Sequence, residues 1–210
     1  MDPDAPVTSV PSKFLALGDS YTMGEGVDPD DRWPARLAAA MRARGVAIAQ
    51  PQIIAKSGWS TDELLAAIDY EVSQGEVEPP YALASLQIGV NNQYRGGSLD
   101  EFRAGFCVLL DLALGFAGGK PTQVLVLSIP DWGVTPFAQS AGCDRDQVAR
   151  EIDQYNAAAE SECRTRGVHW VDITDLTRHP DHARWLAADG LHPSADMYRL
   201  WVDRISRTLT

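Results

Sequence analysis

Short apolar runs alternate along the chain with longer stretches in which apolar residues recur every three or four positions, a pattern that predicts strands separated by helices. The first run is Phe14-Leu15-Ala16-Leu17. Gly18-Asp19-Ser20 follows it as a turn, so the sequence reads as a buried strand that ends on a hydroxyl. Residues 48–55, 81–88, 124–129 and 168–173 are the other strand-like runs. Between them, residues 33–44 form a predicted helix, with Pro34 in the first turn, Leu37 and Met41 on one face and Gly45 as a stop. Ser60 with Glu63 and Ser98 with Glu101 are capping-box pairs, which open helices over residues 60–71 and 102–116. In the second of these, Phe102, Phe106, Leu109 and Leu110 mark an apolar stripe. Asp144 and Gln147 open a long helix that ends near Arg166 before Gly167, and residues 194–208 close the chain as a helix. Residues 22–31 and 130–143 read as loops, the second long enough to suggest function.

Composition narrows this pattern to one architecture. A chain of 210 residues, 45% of them hydrophobic, suits one core. Strands that alternate with helices require right-handed crossovers and a sheet covered on both faces. The expected fold is α/β: a three-layer α/β/α sandwich around a five-stranded, mainly parallel sheet. Residues 1–12 read as an N-terminal tail and residues 13–210 as a single domain. The net charge of −11 opposes binding to nucleic acid or an anionic membrane surface. No apolar run reaches the roughly 18 residues of a membrane helix, and residues 1–10 lack the basic start and apolar core of a signal peptide. Cys107, Cys143 and Cys163 are odd in number and widely spaced, which favours reduced thiols and a cytoplasmic location.

Four short blocks carry the candidate chemistry. Gly18-Asp19-Ser20-Tyr21 follows the first strand, Gly58 follows the second, Gly89-Val90-Asn91-Asn92 follows the third, and Asp189-Gly190-Leu191-His192-Pro193 lies near the C-terminus. In order and context they resemble the blocks of the SGNH hydrolases, also called GDSL esterases and lipases, across residues 14–200. The family's Ser, Gly, Asn and His match Ser20, Gly58, Asn91 and His192. The resemblance implies a flavodoxin-like SGNH hydrolase fold and a serine esterase. Two positions depart from the common motifs: Tyr21 stands where Leu is usual, and Asn92 where Asp is frequent.

Acyl transfer needs a nucleophile, a base, a group to orient the base, and donors for the oxyanion. Ser20 is the expected nucleophile and His192 the base, while Asp189, three residues earlier, can reach the other imidazole nitrogen. The bland alternative for Asp189 is a cap on the last helix. The backbone N–H groups of Ser20 and Gly58 and the side-chain amide of Asn91 are the expected oxyanion donors. Gly58 alone would be an ordinary loop glycine, and Asn91 an Asx turn, with Asn92 beside it as a competing amide. Trp59, Tyr94, Arg95, Trp132 and Phe137 are candidate substrate contacts, though most aromatics elsewhere are core.

This chemistry calls for no cofactor and no metal. The expected partner is a small ester, without nucleic acid or stable membrane association, and the residues leave the oligomeric state open. A Gly-x-Ser-x-Gly elbow is absent, because Thr22 stands at its last position. Gly18 to Gly26 could cradle phosphate after a strand, but it has no Walker lysine and carries Asp19, Glu25 and Asp28. His179, Asp181 and His182 are explained as readily by solvated residues as by a metal. Hydrolysis, transfer to another alcohol, and a ligand-binding protein of the same fold remain alternatives.

Overall fold

The computed structural model describes residues 11–209. Of the expected tail, residues 1–10 lie outside this range. Ser12 is already joined to the fold: its N–H donates to the Ala47 carbonyl (2.8 Å), and its own carbonyl accepts from Ala49 (2.9 Å). Five strands follow: β1 (Phe14–Gly18), β2 (Gln52–Ala55), β3 (Leu83–Gln87), β4 (Val124–Leu127) and β5 (His169–Val171). They pair in the order β2-β1-β3-β4-β5, every pair parallel. β1, β3 and β4 are buried along their whole length, as strands covered on both faces must be.

Except for the first, which extends to Gly18, every strand-like run is trimmed at one end or both. β2 begins at Gln52 rather than at residue 48, because Pro51 has no N–H to give a ladder, and Ile48 makes only an isolated bridge to Ser12. The run at 168–173 yields only three strand residues, since Ile173 and Thr174 turn away to bond the end of β4. The expected loop at 22–31 starts inside a short helix, α1 (Ser20–Met23), and includes a 3₁₀ turn at Pro29–Asp31. The long loop after β4 likewise holds a 3₁₀ turn at Trp132–Val134 and a short helix at Pro136–Ser140.

The helices sort by the direction of each crossover. β1 leads through α2 (Trp33–Ala43) to its outer neighbour β2; the chain then returns through α3 (Thr61–Ser73) and continues outward through α4 (Val90–Tyr94), α5 (Leu99–Phe116), α6 (Pro136–Ser140) and α7 (Arg145–Arg166). Right-handed crossovers in opposite directions put their helices on opposite faces. α2 accordingly packs with the last helix, α9 (Ala195–Thr208), which comes after the short α8 (Thr174–Thr177), while α3, α5 and α7 pack side by side.

Register places the strand ends at one level. Gly18 is opposite Ala55 of β2 on one side and Gln87 of β3 on the other. The three turns that follow therefore leave the sheet from a common edge. Gly18 allows this close passage, because a Cβ there would lie 2.5 Å from the Gln87 carbonyl oxygen and collide with the Thr22 hydroxyl. Asp19 then caps α1 by accepting the Tyr21 N–H (3.0 Å). It is almost fully buried, and burial pushes its carboxyl up to about 7 against the opposing backbone hydrogen bonds.

Two measurements check this turn. Gly18→Ala should destabilise the protein by about 1–3 kcal/mol, the usual range for overpacking, read as a lowered urea midpoint. An unchanged midpoint would mean that the turn shifts freely. Asp19 binds a proton more tightly folded than unfolded, so its contribution to stability is greatest at low pH and is lost as pH rises from about 4 to about 7. Asp19→Asn keeps an N-cap acceptor but has no charge to bury. The variant should equal or trail the wild type near pH 4 and exceed it at pH 8, by at most about 4 kcal/mol. Melting curves at the two pH values decide it, and a difference independent of pH would refute it.

Candidate active site

The common edge opens into a cavity of about 270 Å³, lined by residues from every block named above: Ser20, Gly58, Asn91 and His192, with Tyr21, Val90 and Leu191 beside them. Ser20 is the first residue of α1, where a backbone N–H has no partner within its own helix. Its carbonyl accepts the N–H groups of Gly24 (2.9 Å) and Glu25 (3.0 Å) as Gly24 turns left-handed at φ 72°. Among the described residues nothing hydrogen-bonds the Ser20 hydroxyl, His192 included. Contacts of this type often close only around substrate.

Asp189 and His192 form a close polar pair at the cavity. The His192 Nδ1–H donates to Asp189 Oδ2 (2.6 Å), while Asp189 Oδ1 accepts the N–H groups of Leu191 (2.9 Å) and His192 (3.0 Å). Burial opposes ionisation of Asp189, but these three hydrogen bonds outweigh it and hold the carboxyl below its ordinary value. The loop is braced on both sides, since Ala187 donates to the His192 carbonyl (2.7 Å) and Phe137 to that of Gly190 (3.2 Å). Asp189 does not cap the last helix; Ser194 does. The Tyr21 ring lies 5.6 Å from the imidazole. Burial, followed by the charges of Asp19, Asp131 and Asp189, raises the Tyr21 phenol and keeps it protonated.

The two adjacent amides separate cleanly. Asn92 is spent on the start of α3, accepting from the Thr61 N–H (3.1 Å) and donating to the Thr61 hydroxyl (2.9 Å). Asn91 faces the cavity and donates one N–H to the Trp59 carbonyl (2.8 Å), which leaves its second N–H for another acceptor. Gly58 stands at φ 86°, a conformation that calls for glycine although a Cβ would find open space, its nearest neighbour 3.8 Å away.

Of the candidate substrate contacts, Tyr94, Trp132 and Phe137 line the cavity, and their rings form one cluster with centroids 5.2 to 6.5 Å apart. The Trp132 indole is fixed by donating to Gln93 (2.7 Å), which in turn donates to Glu151 (2.6 Å). Trp59 and Arg95 do not line it, a correction to the sequence reading. Arg95 is engaged by Glu63 (2.9 Å) and the Gly58 carbonyl (2.6 Å), so it braces the Gly58 turn; Trp59 packs partly buried against the core and offers its carbonyl to Asn91. Glu25 and Ser57 also line the cavity, and nothing in their local pattern marks them, because their approach depends on the level strand ends. His182 bonds the carbonyls of Val134 and His179 (both 2.9 Å), and no group of metal-ligating side chains gathers among the described residues.

A family model described as the GDSL-like Lipase/Acylhydrolase family matches residues 16–200. The fold also resembles solved structures that cover nearly all of each chain. The psychrotrophic esterase EstA from Pseudoalteromonas sp. has 16% identity and a TM-score of 0.69 over 94% of this chain and 96% of its own. The lipase/acylhydrolase from Enterococcus faecalis has 20% identity and a TM-score of 0.68 over 93% and 94%. The acetylxylan esterase Axe2 from Geobacillus stearothermophilus has 19% identity and a TM-score of 0.70 over 94% of each. At these identities the likeness is one of fold. No curated protein sequence matches the chain. With its family model spanning all four blocks around one cavity, the chain belongs to the GDSL-like lipase/acylhydrolase family.

Proposed function

We propose that the protein is a serine esterase that hydrolyses small carboxylic esters through an acyl-enzyme. The observation that carries this reading is the Asp189–His192 hydrogen bond at the mouth of the cavity that Ser20 lines. An ionised carboxylate only accepts, so the imidazole proton sits on Nδ1 and Nε2 is left basic. Nε2 takes the Ser20 proton as Oγ bonds to the ester carbonyl carbon. The imidazolium, stabilised by Asp189, then protonates the departing alkoxide as the C–O bond breaks. Water repeats the sequence in reverse to release the acid. The backbone N–H groups of Ser20 and Gly58 and the free N–H of Asn91 are the donors for the oxyanion.

Cavity size supports a small substrate. About 270 Å³ is just below the range of roughly 300–1,000 Å³ common for drug-sized ligands. The apolar wall of Val90, Tyr94, Trp132, Phe137 and Leu191 suits a short acyl chain. None of the described helices is long and apolar enough to cross a membrane.

The Pseudoalteromonas structure is of an esterase inhibited by monoethylphosphonate, and a fluorophosphonate probe is the matching test here. It should label Ser20 and leave Ser20→Ala unlabelled. Ser20→Ala and His192→Ala should each remove nearly all hydrolysis of p-nitrophenyl acetate, and the double variant should lose little more; multiplicative losses would break the pairing. Asn91→Ala should lower kcat by about 10²–10³, with little change in melting temperature. Asn92→Ala should do the opposite, losing about 1–3 kcal/mol of stability by stranding Thr61 while kcat falls far less. Identical effects at the two positions would remove Asn91 from the oxyanion site. Across p-nitrophenyl esters from acetate to palmitate, kcat/KM should favour the short chains, and a preference for palmitate would overturn that assignment.

A further inference from the structure

The lining of the cavity divides by charge as well as by polarity. Val90 and Tyr94 reach it from the end of β3, and Trp132 and Phe137 from the end of β4. Glu25 and Ser57 reach it from the ends of β1 and β2, the other flank of the sheet order. Neighbouring strands lie about 4.8 Å apart, so the aromatic cluster and the Glu25 carboxylate enter from different sides of the reacting serine. Glu25 is half-buried and tied to Ser20 through the backbone, its N–H donating to the Ser20 carbonyl (3.0 Å). Its side chain accepts the Ser57 hydroxyl. Among the described residues no Lys, Arg or His pairs with it; the guanidinium near Gly58, that of Arg95, is committed to Glu63. A hydroxyl donor orients the carboxylate without cancelling its charge. The chain's net charge of −11 adds a long-range field of the same sign.

Building on the esterase reading, we propose that Glu25, oriented by Ser57, is a specificity-determining residue that favours esters bearing a cationic group and disfavours anionic ones. The apolar half of such an ester rests against Tyr94, Trp132 and Phe137, and the cationic half faces Glu25. The interaction is electrostatic and partly solvated, so added salt weakens it.

The test is a matched set of esters hydrolysed by the wild type, Glu25→Gln and Glu25→Lys. One series holds acetate esters of choline, of its uncharged tert-butyl isostere and of an anionic sulfonate analogue. A second series carries the same three groups on the acyl side of ethyl esters, which tells which half of the substrate faces Glu25. Ratios of kcat/KM between variants cancel the intrinsic reactivity of each ester. In at least one series the cation-to-neutral ratio should fall about tenfold in Glu25→Gln, the effect of losing one nearby unit charge in a partly solvated site. The cation-to-anion preference should reverse in Glu25→Lys. A reversal cannot come from a damaged fold, which lowers all rates together. Equal ratios in all three proteins, with hydrolysis of the neutral ester intact, overturn this proposal alone. Failure of the wild type to hydrolyse any of the esters, p-nitrophenyl acetate included, overturns the esterase reading and this proposal with it.

Discussion

The level ending of β1, β2 and β3 is the constraint on which the rest of the molecule depends. Gly18 lies between Ala55 and Gln87, and Ser20, Gly58 and Asn91 follow those residues by two, three and four positions. A slip of one residue in either pairing would move one of the turns by about 3.3 Å along the sheet and turn every side chain of that strand to the other face. Burial on both faces makes such a slip costly. Polar bonds at the edge oppose it further: buried Gln87 accepts from the Trp33 indole (3.1 Å) and donates to the Ser128 carbonyl (3.3 Å), tying α2 to the ends of β3 and β4. Ser128 in turn bonds Ile173 and Thr174 beyond β5. The edge is thereby stitched across the sheet before any ligand arrives.

That rigidity lets short turns carry buried carboxyl groups. Asp19 is buried with its carboxyl pushed up to about 7, Gly58 is left-handed, and Asp131, also buried, is neutralised by Arg178 (2.8 Å). Gly58 adopts its conformation without strain because it is glycine, whereas the two buried carboxyls are unfavourable on their own and tolerable only on a fixed frame. Asp189 differs in kind. Its carboxyl is held below the ordinary value by hydrogen bonds, so the Asp189–His192 pair keeps its negative partner over the neutral pH range.

The sheet and its crossovers were legible because apolar runs, capping pairs and terminal glycines all pointed the same way, as at Ser98–Glu101 before α5 and Gly167 after α7. Strand ends were less so, since Pro51 and the Ile173–Thr174 turn cut short runs whose apolar character continues. At the site, local pattern could name the blocks but not the partners. Asn91 and Asn92 have the same chemistry, and only Thr61, thirty-one residues from Asn92 in sequence, tells them apart. Arg95 reads in sequence as a candidate substrate contact, yet Glu63 and the Gly58 carbonyl occupy it. Glu25 was read only as part of an acidic loop, for its place in the cavity depends on how that loop folds back on Ser20.

Tyr21, the departure from the commonest form of the first block, is explained by the last helix. The Tyr198 hydroxyl donates to the Tyr21 carbonyl (3.0 Å), and the Trp201 ring lies 6.3 Å from the Tyr21 ring and 5.1 Å from that of Tyr198. All three residues are buried, and the Tyr21 ring reaches on to His192. An aliphatic side chain would present less area to both neighbours. The planar ring instead spans the gap between α9 and the imidazole, and burial, followed by the charges of Asp19, Asp131 and Asp189, keeps its phenol neutral. The helix that follows the Asp189–His192 loop is therefore also linked to the imidazole through Tyr21. The first and last blocks of the sequence are coupled by aromatic packing, 177 residues apart at the Tyr21–Tyr198 bond.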